Sequence, residues 1–439
     1  MAKDKATPSK HSSREDIDEL LAGIQADLGS TGVMLQRGRE LEGRFDLRRP
    51  CGIPALDIAT GGGLPAGGLS QIDGPEGTGK NLLIYHYFAK VQKLYKENTR
   101  IFMLCMEFPF DKMFAYKVGF RVPFSDYEIG VEQRGRKERG EEPLTKKEVE
   151  ALQDDTDTGV FVIPRGGSAE GNLEAVVQLI SSNKFQLGAI DSWDSMLTAP
   201  EEETPLGEDP RIASPASVQT RWMKKVQGAL APKKLCHECR SLDIEFKKTA
   251  NGGWGYYCSD KNCGWKGRDP FLEENETTII GIRQVRANLH KMGMHSRDWK
   301  VGGSHALKHG KLVDIQLRPG EQLKDKDGTR IGKEIVWEIT KGKAGTHEGK
   351  TGSFKYYFEP PEVDVDLDFF GYCLANGIIT KAGTSIYAID LQNLSDKQYK
   401  FKGQGEVLEA LADDPELKNM LWRLMLRQAN LAHIRNRTL

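Results

Sequence analysis

The 439-residue chain is long enough for a central domain of ordinary size with smaller modules attached. Its 62 Lys and Arg against 63 Asp and Glu give a net charge of −1, so a nucleic-acid partner would have to be met by a local patch. No apolar run approaches membrane-spanning length and the opening MAKDKATPSKHSSRED lacks the apolar stretch of a signal peptide, so a cytoplasmic protein with no membrane partner is expected.

Ser12 and Glu15 have the spacing of a capping box, and Ile17, Leu20, Leu21, Ile24 and Leu28 recur behind them at helical spacing. A helix that short needs a partner surface, and residues 29–50 then read as a linker. Further on, Leu69, Gln71 and Ile72 suit a strand and residues 82–92, from Leu82, a helix. Between them Gly74, Pro75, Glu76, Gly77, Thr78, Gly79, Lys80 and Asn81 read as a phosphate-cradling loop. The glycines permit a tight turn whose N–H groups converge on a polyphosphate, and Lys80 supplies charge for the outer phosphates. Where a Ser or Thr hydroxyl would ligate Mg²⁺ the chain has Asn81; an amide oxygen can still coordinate the ion, but metal affinity and hydrolysis rate are both affected.

Residues 101–106 read as an apolar strand ending at Glu107, and residues 185–190 as another ending at Asp191 with Ser192 beside it. In doubly wound sheets the carboxyl ends of strands face the ligand crevice, so Asp191 is expected at the metal and Glu107 as the base for the attacking water. Between these strands, residues 121–157 are highly charged and short of large apolar side chains, which predicts a solvated helix or a flexible excursion without chemistry. Val160–Pro164 reads as a buried strand and residues 170–181 as an amphipathic helix.

Cys236, Cys239, Cys258 and Cys263 form two close pairs with the spacing of a tetrahedral thiolate Zn²⁺ site, a zinc ribbon, with His237 outside the ligand set. The ribbon is inserted between a helix at about residues 216–230 and a strand at residues 277–282. Trp254, Tyr256, Tyr257, Trp265, Lys261, Lys266 and Arg268 give it a surface suited to stacking on bases. Aromatic residues also substitute for a core in so small a module, and structural or protein-contact use ranks slightly ahead of DNA contact. Cys51, Cys105 and Cys373 read as buried apolar groups. After Gln284 the chain combines Arg286, Lys291, Arg297 and Lys300 with Leu289, Trp299, Gly302 and Gly303. Cations there can neutralise phosphates while apolar side chains wedge between base steps.

The order of these motifs resembles bacterial RecA recombinases. The likeness runs through GIPALDIATGGGLPAGGLSQIDGPEGTGK, EFPFDKMFAYKVG, AIDSWDS, IIGIRQVR, GGSHALKHGKLVDI, ITKGKAG and ANGIITKAGTSIYAI, over most of residues 13–415. It implies an α/β fold: a RecA-like P-loop ATPase core at 51–362, interrupted by the charged insertion 121–157 and the ribbon at 233–270. An N-terminal polymerisation helix and linker at 1–50 would precede the core, and a small α+β C-terminal domain at 363–439 would follow it.

The resemblance further implies a DNA-dependent ATPase that uses ATP and Mg²⁺ to form a helical homo-oligomeric filament on single-stranded DNA. Such a filament exchanges its strand into a homologous duplex, with loader or single-strand-binding proteins as further partners. Gln284 would sense the terminal phosphate and pass its presence to the second DNA loop, residues 286–303. Lys341 and Lys343 would reach the neighbouring subunit's terminal phosphate, and Asp111 and Phe114 would pack on adenine. A first DNA loop would span residues 201–215, followed by Arg221. From Lys418 the chain carries Arg423, Arg427, Arg435 and Arg437 with no acid, a basic helix suited to duplex capture, although Leu421, Leu424 and Leu431 equally suit a packed helix. The ribbon and Asn81 point to a divergent version, cellular or phage-borne. The alternatives are a nucleotide-sensing DNA-binding scaffold with little hydrolysis and a RadA-like branch-migration motor. The RadA-like reading is weakened because its zinc module would be N-terminal.

Overall fold

The computed structural model describes residues 24, 45–153, 159–164, 166–205, 208, 215–248, 254–267, 270–287, 299–301, 305–383, 385–391 and 399–434, with backbone alone at 254, 286, 287, 299–301 and 305. Most of the expected N-terminal helix and linker (1–23 and 25–44) lies outside them, as do Arg435 and Arg437. Phe45–Leu230 with Glu276–Leu439 forms one compact unit, and Ala231–Asn275 belongs to another.

In the larger unit the chain enters through β1 (Arg48–Arg49), α1 (Pro54–Ala59) and β2 (Leu64–Pro65). Strand and helix then alternate through β3 (Leu69–Gly74), α2 (Lys80–Tyr95) and β4 (Ile101–Cys105). Three helices follow, α3 (Lys112–Lys117), α4 (Asp126–Arg139) and α5 (Lys146–Gln153), before β5 (Val160–Pro164), α6 (Ala169–Ser181), β6 (Leu187–Asp191), α7 (Ala199–Glu203) and α8 (Pro215–Ala229). The smaller unit contributes β7 (Lys233–Leu235), β8 (Ile244–Lys248), β9 (Trp254–Cys258), β10 (Lys266–Gly267) and β11 (Phe271–Glu273). The chain resumes with β12 (Thr278–Ala287), β13 (Trp299–Val301), α9 (His305–Gly310), β14 (Val313–Lys324), β15 (Arg330–Gly342), β16 (Thr351–Phe358) and β17 (Pro361–Val363).

These strands form one mixed sheet in the order β17-β16-β15-β14-β3-β12-β6-β4-β5, with β13 paired to the far end of β12. From β14 to β5 neighbouring strands run parallel; from β14 to β17 they alternate. Buried parallel strands need both faces covered. Leu83, Tyr87 and Phe88 of α2 pack with Ile72, Met103 and Ile282 in one apolar cluster, while Val176, Trp222 and Leu307 from α6, α8 and α9 pack with Phe102 and Leu104 in another. Gly188 on β6 is required by that packing, because a Cβ there would fall 2.0 Å from the Phe102 ring.

One expectation changes, and another narrows to one of its two alternatives. β5 is not a buried strand: among the described residues it pairs only with β4, at the sheet's edge, and Phe161 is 50% exposed. Of the two readings of the charged segment, the helical one is what residues 126–153 adopt, as α4 and α5, with Ser125 and Glu128 capping α4 reciprocally and Phe124, Ile129 and Leu152 forming a small core against Met113 and Tyr116.

Beyond the sheet come α10 (Val365–Ala375), the antiparallel strands β18 (Ile379–Ala382), β19 (Ile386–Ile389) and β20 (Tyr399–Lys402), then α11 (Gly403–Asp413) and α12 (Pro415–Gln428). Leu421, Trp422, Leu424 and Met425 of α12 are buried in one cluster with Phe369 and Val407, while Arg423 and Arg427 stay exposed. Among the described residues no helix is long and apolar enough to cross a membrane.

Two carboxylates tie α1 into this fold. Asp57 accepts the N–H groups of Cys51 and Gly52 at 2.8 Å each, and burial pushes its carboxyl up to about 6. Asp368 of α10 accepts the Ala55 N–H at 2.8 Å, and desolvation followed by the nearby Asp57 pushes it up to about 7. The native state therefore binds these protons more tightly than the unfolded chain. Their stabilisation is complete below the unfolded carboxyl value and is lost as pH rises through about 6 and 7. Urea titrations at a series of pH values should show unfolding free energy falling over that window, and Asp368→Asn should flatten its upper part; an unchanged slope in the variant would refute the assignment.

Candidate nucleotide site and cysteine cluster

The loop expected to cradle phosphates joins β3 to α2. Gly77 and Gly79 adopt left-handed φ values of +69° and +87°, and a Cβ at Gly74 would sit 2.9 Å from the Leu317 carbonyl oxygen, so all three positions need glycine. Thr78 Oγ1 donates to the Pro75 carbonyl at 2.7 Å, closing the turn. α2 begins at Lys80, and its N-terminus aims unpaired N–H groups and a positive dipole end at the loop. Lys80 Nζ donates to the carbonyls of Gly74 at 2.9 Å and Pro75 at 2.8 Å, bonds that a polyphosphate's oxygens could replace. Burial lowers the Lys80 ammonium from its usual value, opposed by Glu107, Asp191, Glu76 and Asp73.

Sheet order gathers the rest of the site. β4 and β6 are parallel neighbours with Cys105 opposite Asp191, so Glu107 and Asp191 emerge at the same end. β12 lies between β3 and β6 and sets Gln284 opposite Gly74. Asn81 Nδ2 donates to Asp191 Oδ2 at 2.9 Å. Burial raises the Asp191 carboxyl, with Glu107 adding to the rise and the Asn81 hydrogen bond and Lys80 opposing it. Glu107 Oε1 accepts from Gln284 Nε2 at 2.7 Å and its Oε2 from Ser192 Oγ at 2.9 Å. This fixes the carboxylate between two donors. Asn81, Asp191 and Glu107 present hard oxygen donors of the kind Mg²⁺ takes, beside the place where phosphates would lie.

Sequence reasoning treated Glu107 and Gln284 as separate parts; the structure bonds them. It also gave Ser192 no role, although the polar DSWDS run after an apolar strand was a visible signal. β12 runs past Gln284 to Ala287 by pairing with β13. Lys333 of β15 was not anticipated: its ammonium donates to the Gly77 carbonyl.

The other expected residues stand at several places in the larger unit. Asp111 caps α3 by accepting the Phe114 N–H at 2.8 Å, and the Phe114 ring, half-buried, lies 5.7 Å from Tyr85. Lys341 pairs in register with Asp314, which faces Gln71, so it sits toward the start of β3, away from this chain's own phosphate loop. Lys343 Nζ donates to the His309 carbonyl at 3.2 Å, and Lys341 Nζ to those of Lys308 and His309, at the end of α9. Arg221 is exposed on α8. Of the expected second DNA loop, Arg286, Trp299 and Lys300 are placed by backbone in the β12–β13 ribbon; Leu289, Lys291, Arg297, Gly302 and Gly303 lie outside the described residues. In the first loop residues 206, 207 and 209–214 do too, while α7 occupies its start.

In the smaller unit β8, β9 and β10 make an antiparallel sheet, and β7 pairs with β11. The sulfurs of Cys236, Cys239, Cys258 and Cys263 all lie within 4.8 Å of one another, with Cys236 to Cys263 and Cys239 to Cys258 at 3.5 Å. A disulfide needs about 2.05 Å, so the thiols are unbridged. Four Zn–S bonds of about 2.3 Å in a tetrahedron place sulfurs about 3.8 Å apart, and this spacing fits. His237 instead packs its ring 5.5 Å from Trp265. Tyr256 is buried against Phe246 at 4.6 Å, while Lys247 and Lys266 lie 4.9 and 5.7 Å from the half-exposed Tyr257 ring.

No family model matches the chain. It is similar to Protein RecA of Nocardioides sp., 27% identical over 420 residues covering 94% of this chain and 91% of that protein. Protein RecA of Streptomyces coelicolor is 26% identical, covering 92% and 82%, and that of Thermotoga maritima is 21% identical, covering 97% and 95%. The chain is thus similar at low identity, over most of its length, to many RecA proteins, and its large central mixed sheet fits a RecA-like core.

Proposed function

We infer that the protein is a DNA-dependent ATPase of the RecA type, which polymerises with ATP and Mg²⁺ on single-stranded DNA in the cytoplasm and exchanges that strand into a homologous duplex. The observation that carries this is the Gln284–Glu107 hydrogen bond of 2.7 Å, which ties the strand leading to the basic, apolar 286–303 segment to the carboxylate of the nucleotide site. A terminal phosphate would compete with Glu107 for the Gln284 carboxamide, and the exchange of partners would be felt along β12. Asp191 and Asn81 would hold Mg²⁺ at the phosphates, and the ion would supply charge for the developing negative oxygens. Lys80 would hold the outer phosphates, and Glu107 would orient and deprotonate water. Lys341 and Lys343, remote from their own loop, would serve the neighbour's phosphates in a filament. Zn²⁺ in the cysteine cluster would be structural. The test is ATP turnover with and without single-stranded DNA, followed by strand exchange with matched and unmatched duplexes. Equal turnover in both conditions and no discrimination between duplexes would end this reading.

The 2.9 Å bond from Asn81 to Asp191 favours a second reading, a nucleotide-sensing filament with little hydrolysis, because that amide engages the carboxylate where a hydroxyl would face the ion. Asn81→Thr separates the two. If slow metal use limits turnover, the variant should gain roughly tenfold in rate, equivalent to about 1.4 kcal/mol of barrier. A rate at or below that of the parent would exclude this position as the cause.

A further inference from the structure

We propose that Asp194 is a positioning residue that couples the nucleotide site to the β12–β13 ribbon, an inference resting on the functional reading above. Pairing of β12 with β6 ends at Gly281 opposite Ile190, and pairing with β3 ends at Gln284 opposite Gly74. Among the described residues the next ones, Val285 to Ala287, pair only with β13, so Gln284 is the joint between the rigid sheet and a two-stranded ribbon. At that joint Asp194, from the turn after β6, accepts the Gln284 main-chain N–H at 2.8 Å. Its other oxygen lies 4.0 Å from Nε of Arg283, a side chain only 2% exposed.

The turn that carries Asp194 is itself immobilised. Trp193 is 1% exposed, packs 4.9 Å from Trp222, and occupies the space above Gly281, where a Cβ would come 2.1 Å from the indole nitrogen. Gln284 is thus held twice, by its main chain to Asp194 and by its carboxamide to Glu107. With the main chain pinned, movement of the ribbon and a change of carboxamide partner are two ends of one lever. Without Asp194 the ribbon root can shift while the carboxamide stays, and the two ends separate.

The experiment uses the full chain and two variants, Asp194→Ala and Asp194→Asn, with two readouts. The first is the ratio of ATP turnover with and without single-stranded DNA. The second is the change that a non-hydrolysable ATP analogue causes in hydrogen exchange at the amides of residues 285–287 and 299–301, measured at saturating analogue. The alanine variant should lose most of both responses, about tenfold in the ratio where coupling is of ordinary strength, while analogue affinity is kept. The asparagine variant retains an oxygen that accepts the same N–H and should behave as the parent. An alanine variant that responds like the parent, or an asparagine variant that fails equally, overturns the assignment. If the parent binds the analogue but is not stimulated by DNA, the DNA-dependent reading fails, and the exchange response alone decides for or against Asp194.

Discussion

Replacing Glu107 with glutamine is expected to slow ATP turnover by roughly a hundred- to ten-thousand-fold, the usual contribution of a positioned general base, with nucleotide affinity little changed. The substitution keeps the shape of the site. Gln284 Nε2 can still donate to an oxygen at position 107, and Ser192 Oγ, 3.2 Å from Ser195 Oγ, can turn to accept the new amide while donating to its neighbour. Only the charge and the proton-accepting capacity are lost. Steady-state turnover together with titration of a fluorescent nucleotide separates the effects: a fall in the catalytic rate at constant affinity identifies a group used in the transition state. Turnover within about threefold of the parent would remove Glu107 from the chemistry. A combined loss of affinity and thermal stability would mean instead that the residue holds the strand ends together.

How much of this site could be read from the letters depended on the range of the interaction. The loop from Gly74 to Asn81 is contiguous, and its glycines and Lys80 carry their chemistry in the sequence itself. Glu107 and Asp191 were legible as strand-end acids because apolar runs bounded by polar residues mark strand ends well. Their convergence with Gln284 was not legible from pattern alone, because it depends on β12 inserting between β3 and β6, with residues 192–277 intervening between β6 and β12. The same limitation hid the edge position of β5, since VFVIP looks alike at the edge and the centre of a sheet. A helix was one reading of the charged segment, but the small core between α4 and α5 was not legible, because Phe124, Ile129 and Leu152 are sparse among charges and far apart in the chain. Lys333 carried no local signal at all; its contact with Gly77 is set by the register of the β14–β15 hairpin.

Zinc removal should produce the other large effect. The smaller unit has few buried apolar side chains to hold it: Leu235, Cys236 and Tyr256 are its buried hydrophobic residues among those described. So small a core cannot offset the ordering entropy of its chain, and modules of this size are ordinarily held by a metal or by disulfides. With the thiols unbridged, a metal held by the four sulfurs clustered within 4.8 Å is the expected source of stability. Binding at such a structural site is worth about 10 to 16 kcal/mol in apparent free energy near neutral pH, more than the whole stability of most domains. The purified chain should therefore contain one zinc ion per molecule by elemental analysis. Chelation, or Cys258→Ser, should abolish hydrogen-exchange protection across β8 and β9. Protection in β3, β4 and β6, whose contacts belong to the other unit, should persist, as should nucleotide binding by the loop. Protection of β8 and β9 that survives in metal-free protein with four freely titrating thiols would show that the aromatic and cation-π contacts around Tyr256 and Tyr257 hold the unit without metal.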